Sequence, residues 1–258
     1  MAKTSEVPQQ PKELGDCCFT VDSKEITKVV KTLVQTGTFG GGDTDLFGSD
    51  GTVSALDALL IQATEDNELR LTYTRLAVFA TTSMKATVFK AGEFVVTSTL
   101  FSSVKFQASN STFTLKGKKL AFRSGNTSGT LQVSGEASDV LSNKPEKIKC
   151  DLSLTKPFVT DIASKLMYSS FDMALPSYGL PLKITARKKK LVLVSSDSIC
   201  AAMMKRKEDI PDMDIVLPGS ALIQIVKAIG CDEVKLGASQ AMFRISGGGY
   251  SVYHPIGV

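Results

Sequence analysis

The stretch VLPGSALIQIVKAIGCDEVKLGASQAMFR, residues 216–244, decides the fold because the same pattern occurs earlier in the chain. It aligns, without a gap, with VVTSTLFSSVKFQASNSTFTLKGKKLAFR, residues 95–123. A repeat of this length indicates a duplicated structural unit. The aligned pairs are Val95 with Val216, Phe101 with Leu222, Val104 with Ile225, Phe113 with Val234, Leu115 with Leu236, and Phe122-Arg123 with Phe243-Arg244.

A second match lies nearer the start of the chain and keeps the same order. CCFTVDSKEITKVVKTLV, residues 17–34, aligns with CDLSLTKPFVTDIASKLM, residues 150–167. The offset between the copies is larger here than in the first match, so the second copy is shorter than the first in its middle. We predict two copies of one domain, over 17–133 and 150–258, with a flexible tail at 1–16 and a polar connector at 134–149.

Within each copy, hydrophobic periodicity predicts strand, helix, strands, helix and strands, in that order. CFTV or CDLSL leads into an amphipathic helix, and a second helix is predicted roughly over 97–106 or 219–229. Two or three strands close each copy. Strands packed on two helices make an α+β layered domain. The strands between the helices are ALDALLIQA, ELRLTY, LAVFA and KATVFKA in the first copy, and LPLKITA, KLVLVSS and ICAAMMK in the second.

The composition is that of a globular protein. Of 258 residues, 43% are hydrophobic and 22% are charged, and no apolar run approaches the length of a membrane span. The start, MAKTSEVPQQPKELGD, lacks the apolar segment of a secretion signal. The five cysteines are odd in number and lack CxxC spacing, so we expect reduced thiols, a cytosol-like compartment and no metal site.

The first helix, KEITKVVKTLV at 24–34, has an unusual distribution of charge. Its apolar residues fall on one face, whereas Lys24, Lys28 and Lys31 fall together on the opposite face, with Glu25 at the edge. Solvated helix faces usually mix both signs of charge. For a single helix, a solvated surface explains such a face as well as a function does.

The other predicted helices share this property. The second helix of the first copy places Ser98, Ser102 and Lys105 on one face, at i, i+4 and i+7. The corresponding helix of the second copy places Ser220, Gln224 and Lys227 in the same way, and the first helix of that copy carries Lys156 and Lys165, with Asp161 one turn before Lys165. The net charge of +4 is too small to indicate nucleic-acid binding by itself. Lysines gathered on helices favour loose, salt-sensitive contacts with phosphates.

The duplicated unit with its polar connector resembles the DNA sliding clamps: the bacterial β clamp, the eukaryotic proliferating cell nuclear antigen and the phage clamps. The resemblance covers 17–258 and rests on repeat architecture and on segments such as GEFVVTSTLFSSVKF. It implies a ring around duplex DNA, with helices lining the hole and antiparallel sheets outside. Two copies per chain imply a homotrimer. The lysines that would face DNA are Lys24, Lys28, Lys31, Lys105, Lys156, Lys165 and Lys227.

One feature departs from the family. Sliding clamps are commonly acidic, whereas this chain is slightly basic. The run Arg187–Lys190 lies at a predicted hairpin turn, where it is either a DNA contact at the rim or a solvated turn. The run Lys205–Lys207 leaves the same two alternatives.

The resemblance also implies edge-to-edge pairing of strands between subunits, which removes exposed sheet edges. Matched by order along the chain, the last strand of the first copy would pair with ICAAMMK of a neighbour. The alternative is that both strands are internal to their own sheets. The interface residues would be Thr127, Leu131, Val133, Ile199, Ala201, Met203 and Lys205.

In the family, polymerases and other partners insert a short peptide into an apolar pocket beside the connector and the C-terminus. A few buried apolar anchors typically carry such binding. Tyr253 and Ile256 could equally pack the final strand. The candidate pocket residues are Leu46, Phe47, Val140, Leu141, Tyr253, Pro255 and Ile256.

We find no catalytic centre in the sequence and expect no cofactor and no enzymatic activity. His254, the only histidine, is interpreted as a surface or pocket-rim residue, and GGGD at 40–43 lacks the lysine and Ser/Thr of a P-loop. ATP hydrolysis for loading would come from a clamp-loader ATPase. Expected partners are therefore double-stranded DNA, a replicative polymerase, the loader and further copies of the chain. The expected location is the site of replication, in a bacterial or phage-infected cytoplasm or in a nucleus. No membrane association is expected.

Two rival functions remain open. The nearer is a monomeric processivity factor of the same fold that grips DNA with a basic face without closing a ring. The farther is a structural virion protein built from duplicated β domains, although lysines gathered on helices speak against it.

Overall fold

The computed structural model describes residues 15–37, 57–75, 77–142, 144–166, 181–196 and 201–256. The described residues contain helices and antiparallel strands, as expected for an α+β fold. The helices are α1 (Ser23–Gly37), α2 (Ser98–Ser103), α3 (Ala137–Leu141), α4 (Lys156–Leu166) and α5 (Gly219–Ile229).

The described strands fall into two series arranged similarly around the helices, with five strands between the two helices in the first series and four in the second. The first series is β1 (Cys17–Asp22), β2 (Asp57–Ala63), β3 (Glu68–Arg75), β4 (Val78–Lys85), β5 (Thr87–Lys90), β6 (Gly92–Thr97), β7 (Asn110–Lys116), β8 (Lys119–Ser124) and β9 (Thr127–Gln132). The second series is β10 (Leu152–Thr155), β11 (Pro181–Arg187), β12 (Lys190–Ser196), β13 (Ala201–Lys207), β14 (Met213–Pro218), β15 (Glu233–Ala238), β16 (Met242–Gly247) and β17 (Tyr250–Pro255).

Contacts divide the described residues into two compact units. The first lies mostly before residue 144, and the second contains most of the chain from 145 onward together with 34–37 and 75–80. The predicted boundaries at 17–133, 134–149 and 150–258, and the tail at 1–16, stay predictions.

In the first unit, strands β5-β1-β7-β8-β9 form one antiparallel sheet, and β4, β3, β2 and β6 lie side by side in that order. Phenylalanines fill the core: Phe113 stacks on Phe19 and on Phe101, with ring centroids 5.1 and 5.7 Å apart, and Phe94 stacks on Phe19 at 6.2 Å. Burial of the neighbouring Cys17 raises the pKa of its thiol to about 12.

In the second unit, β13, β12, β11 and β14 form one sheet, and β10, β15, β16 and β17 lie side by side. Its core is largely aliphatic, with Leu154, Ile162, Leu222 and Ile245 each fully buried. Both units use the same backbone contact at the start of their first helix. Ser23 N donates to Ser109 O, and Lys156 N donates to Asp232 O, each at 2.8 Å. The two copies therefore share local hydrogen bonding as well as element order.

The structure corrects three details of the predicted elements. Helix α2 is confined to Ser98–Ser103 and does not extend to 106, because Val104 is already extended. Strands β6 and β14 precede the second helices but were not predicted, since their short apolar runs merge with the apolar face of each helix. The connector contains helix α3, whose Ala137 and Val140 are buried against Leu60 and Val95.

Candidate nucleic-acid interface

Helix α1 presents the predicted lysine face. Lys24, Lys28 and Lys31 are exposed, whereas Ile26 and Leu33 on the opposite side are fully buried. None of the three lysines forms an ion pair with any residue that the structure describes. The described part of the chain therefore leaves their positive charges uncompensated.

The local sequence fixes the start of this helix. Asp22 Oδ1 accepts a hydrogen bond from Glu25 N at 2.8 Å, which is the N-cap interaction of an aspartate. The buried Ser23 Oγ and Ser111 Oγ lie 2.7 Å apart, which ties the first turn to strand β7. Because both ends of this contact are in the core, the direction of the lysine face is set by packing rather than by the lysines themselves.

Helices α4 and α5 bring two predicted lysines together in the second unit. Lys156 and Lys227 both line a cleft of about 430 Å³ between the helices, whose apolar wall includes Val159 and Val226. Pro157 occupies the first turn of α4, where its missing N–H costs nothing. Gly230 ends α5 in the left-handed conformation, with φ of 69°, and donates to Val226 O.

The exposed helix surfaces are more basic than acidic. On α1, α4 and α5 the exposed or half-buried charged residues are six lysines and two acids. Lys165 Nζ lies 2.8 Å from Asp161 Oδ1, so this lysine is partly neutralised. The remaining five lysines have no ion-pair partner among the described residues.

Lys105 is not on a helix, contrary to the prediction. It follows the C-cap residue Val104, in the irregular segment between α2 and β7. Ser98 is fully buried and donates to Asp57 Oδ1 at 2.6 Å, so it does not belong to an outward polar face. The hydroxyls of Ser102 and Ser103 donate back to backbone carbonyls, which competes with continued helix formation.

The residues of the predicted peptide pocket have different environments. Val140 is 4% exposed because it packs in the core cluster with Leu60 and Val95, whereas Leu141 is 38% exposed. Tyr253 is buried and packs edge-on against Phe79, with ring centroids 6.3 Å apart. Tyr253 therefore packs the final strand, which is the alternative interpretation of this residue.

The remaining pocket residues are less enclosed. Pro255 and Ile256 are half-buried, and Ile256 N donates to Ala241 O at 2.9 Å. Leu46 and Phe47 lie outside the described residues. The peptide pocket as a whole stays a prediction.

The two predicted interface strands lie at sheet edges. Among the described strands of their own units, β9 pairs with β8 alone and β13 with β12 alone. Thr127, Leu131 and Val133 are half-buried, and Val133 N donates to Lys118 O. Ala201, Met203 and Lys205 are exposed, and Ile199 lies outside the described residues. The pairing with a neighbour stays a prediction.

His254 is buried, so the surface alternative for this residue was wrong, and the pocket-rim alternative stays a prediction. Its ring stacks on Phe243 with centroids 5.1 Å apart, and Nδ1 lies 2.8 Å from Pro255 O. Among the described residues, no group of three or more His, Cys, Asp or Glu side chains could hold a metal ion. None of the described helices combines the length and apolar character that crossing a bilayer requires.

Solved structures provide the decisive comparison. The DNA polymerase sliding clamp from Bacillus subtilis superposes with a TM-score of 0.75 over 94% of this chain, at 15% identity. The chain has the sliding-clamp fold. The DNA polymerase III beta chain from Streptococcus pneumoniae gives a TM-score of 0.75 over 93% of the chain at 14% identity, and the Pseudomonas aeruginosa clamp with ligand gives 0.70 over 93% at 19%.

The likeness to sliding clamps is one of structure rather than of sequence. This chain spans 64–65% of the length of these three clamps. No protein-family model and no curated protein sequence matches it. The predicted family resemblance is confirmed at the level of the fold, which the repeated residues had indicated.

Proposed function

We propose that the chain is a DNA polymerase sliding clamp, a processivity factor that encircles duplex DNA as a homotrimeric ring and tethers polymerase. The observation that carries the proposal is the lysine face of α1 on a sliding-clamp fold. Lys24, Lys28 and Lys31 are exposed and unneutralised by described neighbours, and Lys156 and Lys227 share a cleft on the equivalent helices of the second unit. Lysine contacts with phosphates do not read the bases, so they can hold duplex DNA of any sequence.

The remaining roles follow from the same proposal. The chain acts as a scaffold without catalysis of its own, at the site of replication. A clamp-loader ATPase opens the ring, and a short peptide of the polymerase docks near Leu141, Pro255 and Ile256. Subunits join through β9 of one chain and β13 of the next. Support for this pairing comes from the position of both strands at sheet edges, which are otherwise open to aggregation.

The native mass in solution tests ring formation, measured by light scattering at several protein concentrations. We expect three times the chain mass of 27.6 kDa. The mass should stay constant across a dilution series well above the dissociation constant. A protein that keeps the mass of a single chain when concentrated would contradict the ring and support the second candidate.

That second candidate is a monomeric processivity factor of the same fold, which holds DNA on an open basic face. The net charge of +4 favours it, because a closed ring retains DNA topologically and needs less electrostatic attraction. Retention on nicked circular DNA in high salt separates the two functions. A ring assembled with its loader stays bound until the circle is cut, whereas an open factor dissociates from both forms.

A further inference from the structure

The outward side of the sheet β13-β12-β11-β14 carries a row of three apolar side chains and one lysine that the described residues of the second unit leave uncovered. The strand registers place Met203 opposite Val194, Val194 opposite Lys183, and Lys183 opposite Val216. Met203 is 59% exposed and Val216 is 44% exposed. Flanking residues such as Leu193 and Leu217 are buried, so this row faces away from the core.

The first unit shows what covers the equivalent row. Val95 aligns with Val216 in the sequence repeat, and Val95 lies opposite Leu60 on β2 just as Val216 lies opposite Lys183 on β11. There, Ala137 and Val140 of helix α3 pack on Leu60 and Val95. The segment also joins the edge of β6, because Ser134 N donates to Val95 O at 2.9 Å.

Helix α3 is short and acidic. Glu136 at its N-cap and Asp139 form a reciprocal capping box, and Asp139 Oδ2 accepts from Glu136 N at 3.2 Å. Its apolar anchors, Ala137 and Val140, are separated by i, i+3 spacing and thus share one face of the helix.

The uncovered row of the second unit is bordered mostly by positive charge, and the acid on β14 beside it, Asp214, pairs with Lys183 and Arg187. Lys207 lies directly opposite Lys190, and Lys205 opposite Val192, on the same side of the sheet. Like charges directly opposite across a strand pair are destabilising. Lys188, Lys190, Lys205 and Lys207 form no ion pair with any residue in the described part of the chain. The equivalent β2–β3 hairpin of the first unit instead carries Glu65 and Asp66, so the fold does not require these lysines.

We propose that this face, formed by Val194, Met203, Val216 and the bordering lysines, docks a short acidic helix of a partner protein. The partner helix takes the place that α3 takes on the first unit. Two apolar side chains at i, i+3 spacing seat on Val216 and on the aliphatic stem of Lys183, the counterparts of Val95 and Leu60, and the helix extends over Val194 to Met203. Its carboxylates lie at Lys190 and Lys205. The backbone preceding the helix donates to Val216 O at the open edge of β14, as Ser134 N donates to Val95 O.

The probe is the peptide SGEASDVLS, residues 134–142, and its control is the isosteric amide peptide SGQASNVLS. Because isolated helices of this length are marginal in water, binding is expected to be weak. The full chain with ¹³C-methyl-labelled methionine is therefore titrated to millimolar peptide and followed by methyl NMR. A Met203→Leu variant assigns the Met203 signal, and Met204, on the other side of the strand, is the internal reference.

We expect a saturable shift of Met203 with the acidic peptide and at least threefold weaker binding of the amide peptide. The variants Lys190→Gln/Lys205→Gln and Val216→Ser should each weaken binding at least threefold. Lys118→Gln/Lys119→Gln, on the basic hairpin β7–β8, is the matched control and should leave binding unchanged.

Three results would overturn the proposal. They are no Met203 shift at millimolar peptide, equal binding of the two peptides, or a Met203 shift with a short DNA duplex that displaces the peptide. The last would assign the face to nucleic acid. None of these readouts involves the helix lysines. Because β13 is also the proposed subunit-interface strand, light scattering on the same samples separates a failure of this proposal from a failure of ring closure.

Discussion

At the β11–β12 turn, two residues have a strained backbone conformation. Lys188 and Lys189 have φ of 50° and 62°, the left-handed region that two-residue hairpins of type I′ require. Asparagine and glycine normally occupy these positions, because other L-residues cost about 1–2 kcal/mol each there. The run Arg187–Lys190 is thus confirmed as a hairpin turn. Lysines at its two central positions destabilise the turn relative to asparagine and glycine.

Replacing the pair with the usual turn residues should stabilise the protein. We expect Lys188→Asn/Lys189→Gly to raise the free energy of unfolding by about 1–2 kcal/mol, measured by denaturant titration. The control Lys188→Gln/Lys189→Gln removes the same charges but keeps the strained backbone. If the control gained as much stability, charge repulsion rather than backbone strain would be the cause.

At two positions, the local residue pattern predicts the wrong environment for a side chain. The i+7 spacing from Ser98 predicts Lys105 on a continuing helix, but Ser98 is drawn into the core by its hydrogen bond to Asp57. The polar connector predicts an exposed pocket position for Val140, but this side chain fills a space above Leu60 and Val95. In both cases the deciding partner is distant along the chain, so local periodicity contains no information about it.

At the scale of elements, helix α1 combines a buried stripe with a lysine face that forms no ion pair with the described residues. The stripe anchors the helix, so changes on the lysine face should not affect folding. This separation makes α1 the best element on which to test the interface.

Changing Lys24, Lys28 and Lys31 together to alanine should leave assembly and thermal stability intact. Because each lysine neutralises about one phosphate, we expect the slope of log K against log salt concentration to become shallower by about 2–3. The measurement is binding to a fluorescent duplex across a salt series. Lys118→Ala/Lys119→Ala/Lys144→Ala removes the same charge outside the lysine-bearing helices α1, α4 and α5 and should change the slope much less. An unchanged slope in the α1 variant would show that α1 does not contact DNA.

At the scale of the whole molecule, assembly depends on strand edges. Among the described strands, β9 lies at the end of its sheet, and its alternating exposure leaves Leu131 half-buried at that edge. A carboxylate there would have to lose its hydration in a paired interface, at a cost of several kcal/mol.

Leu131→Asp should therefore reduce the native mass from that of the proposed trimer to the chain mass of 27.6 kDa, measured by light scattering. Circular dichroism should report an unchanged fold, because Leu131 is not part of the fully buried core. Leu141→Asp, at a residue 38% exposed on the connector helix, is the control and should leave the mass unchanged. A trimer that survives Leu131→Asp would place the subunit contact elsewhere.

The sequence by itself determined the duplication, the α+β class and the basic face of α1. Each of these features follows from the spacing of nearby residues or from the alignment of two segments. The match of Val95 with Val216 is an example of such an alignment. Only the tertiary structure decided where α2 ends, that α3 covers Leu60 and Val95, that His254 is buried under Phe243, and that Met203 and Val216 share an uncovered row. The physical reason is that burial depends on which distant strands are paired, and the register between strands is set by the whole core rather than by any one segment.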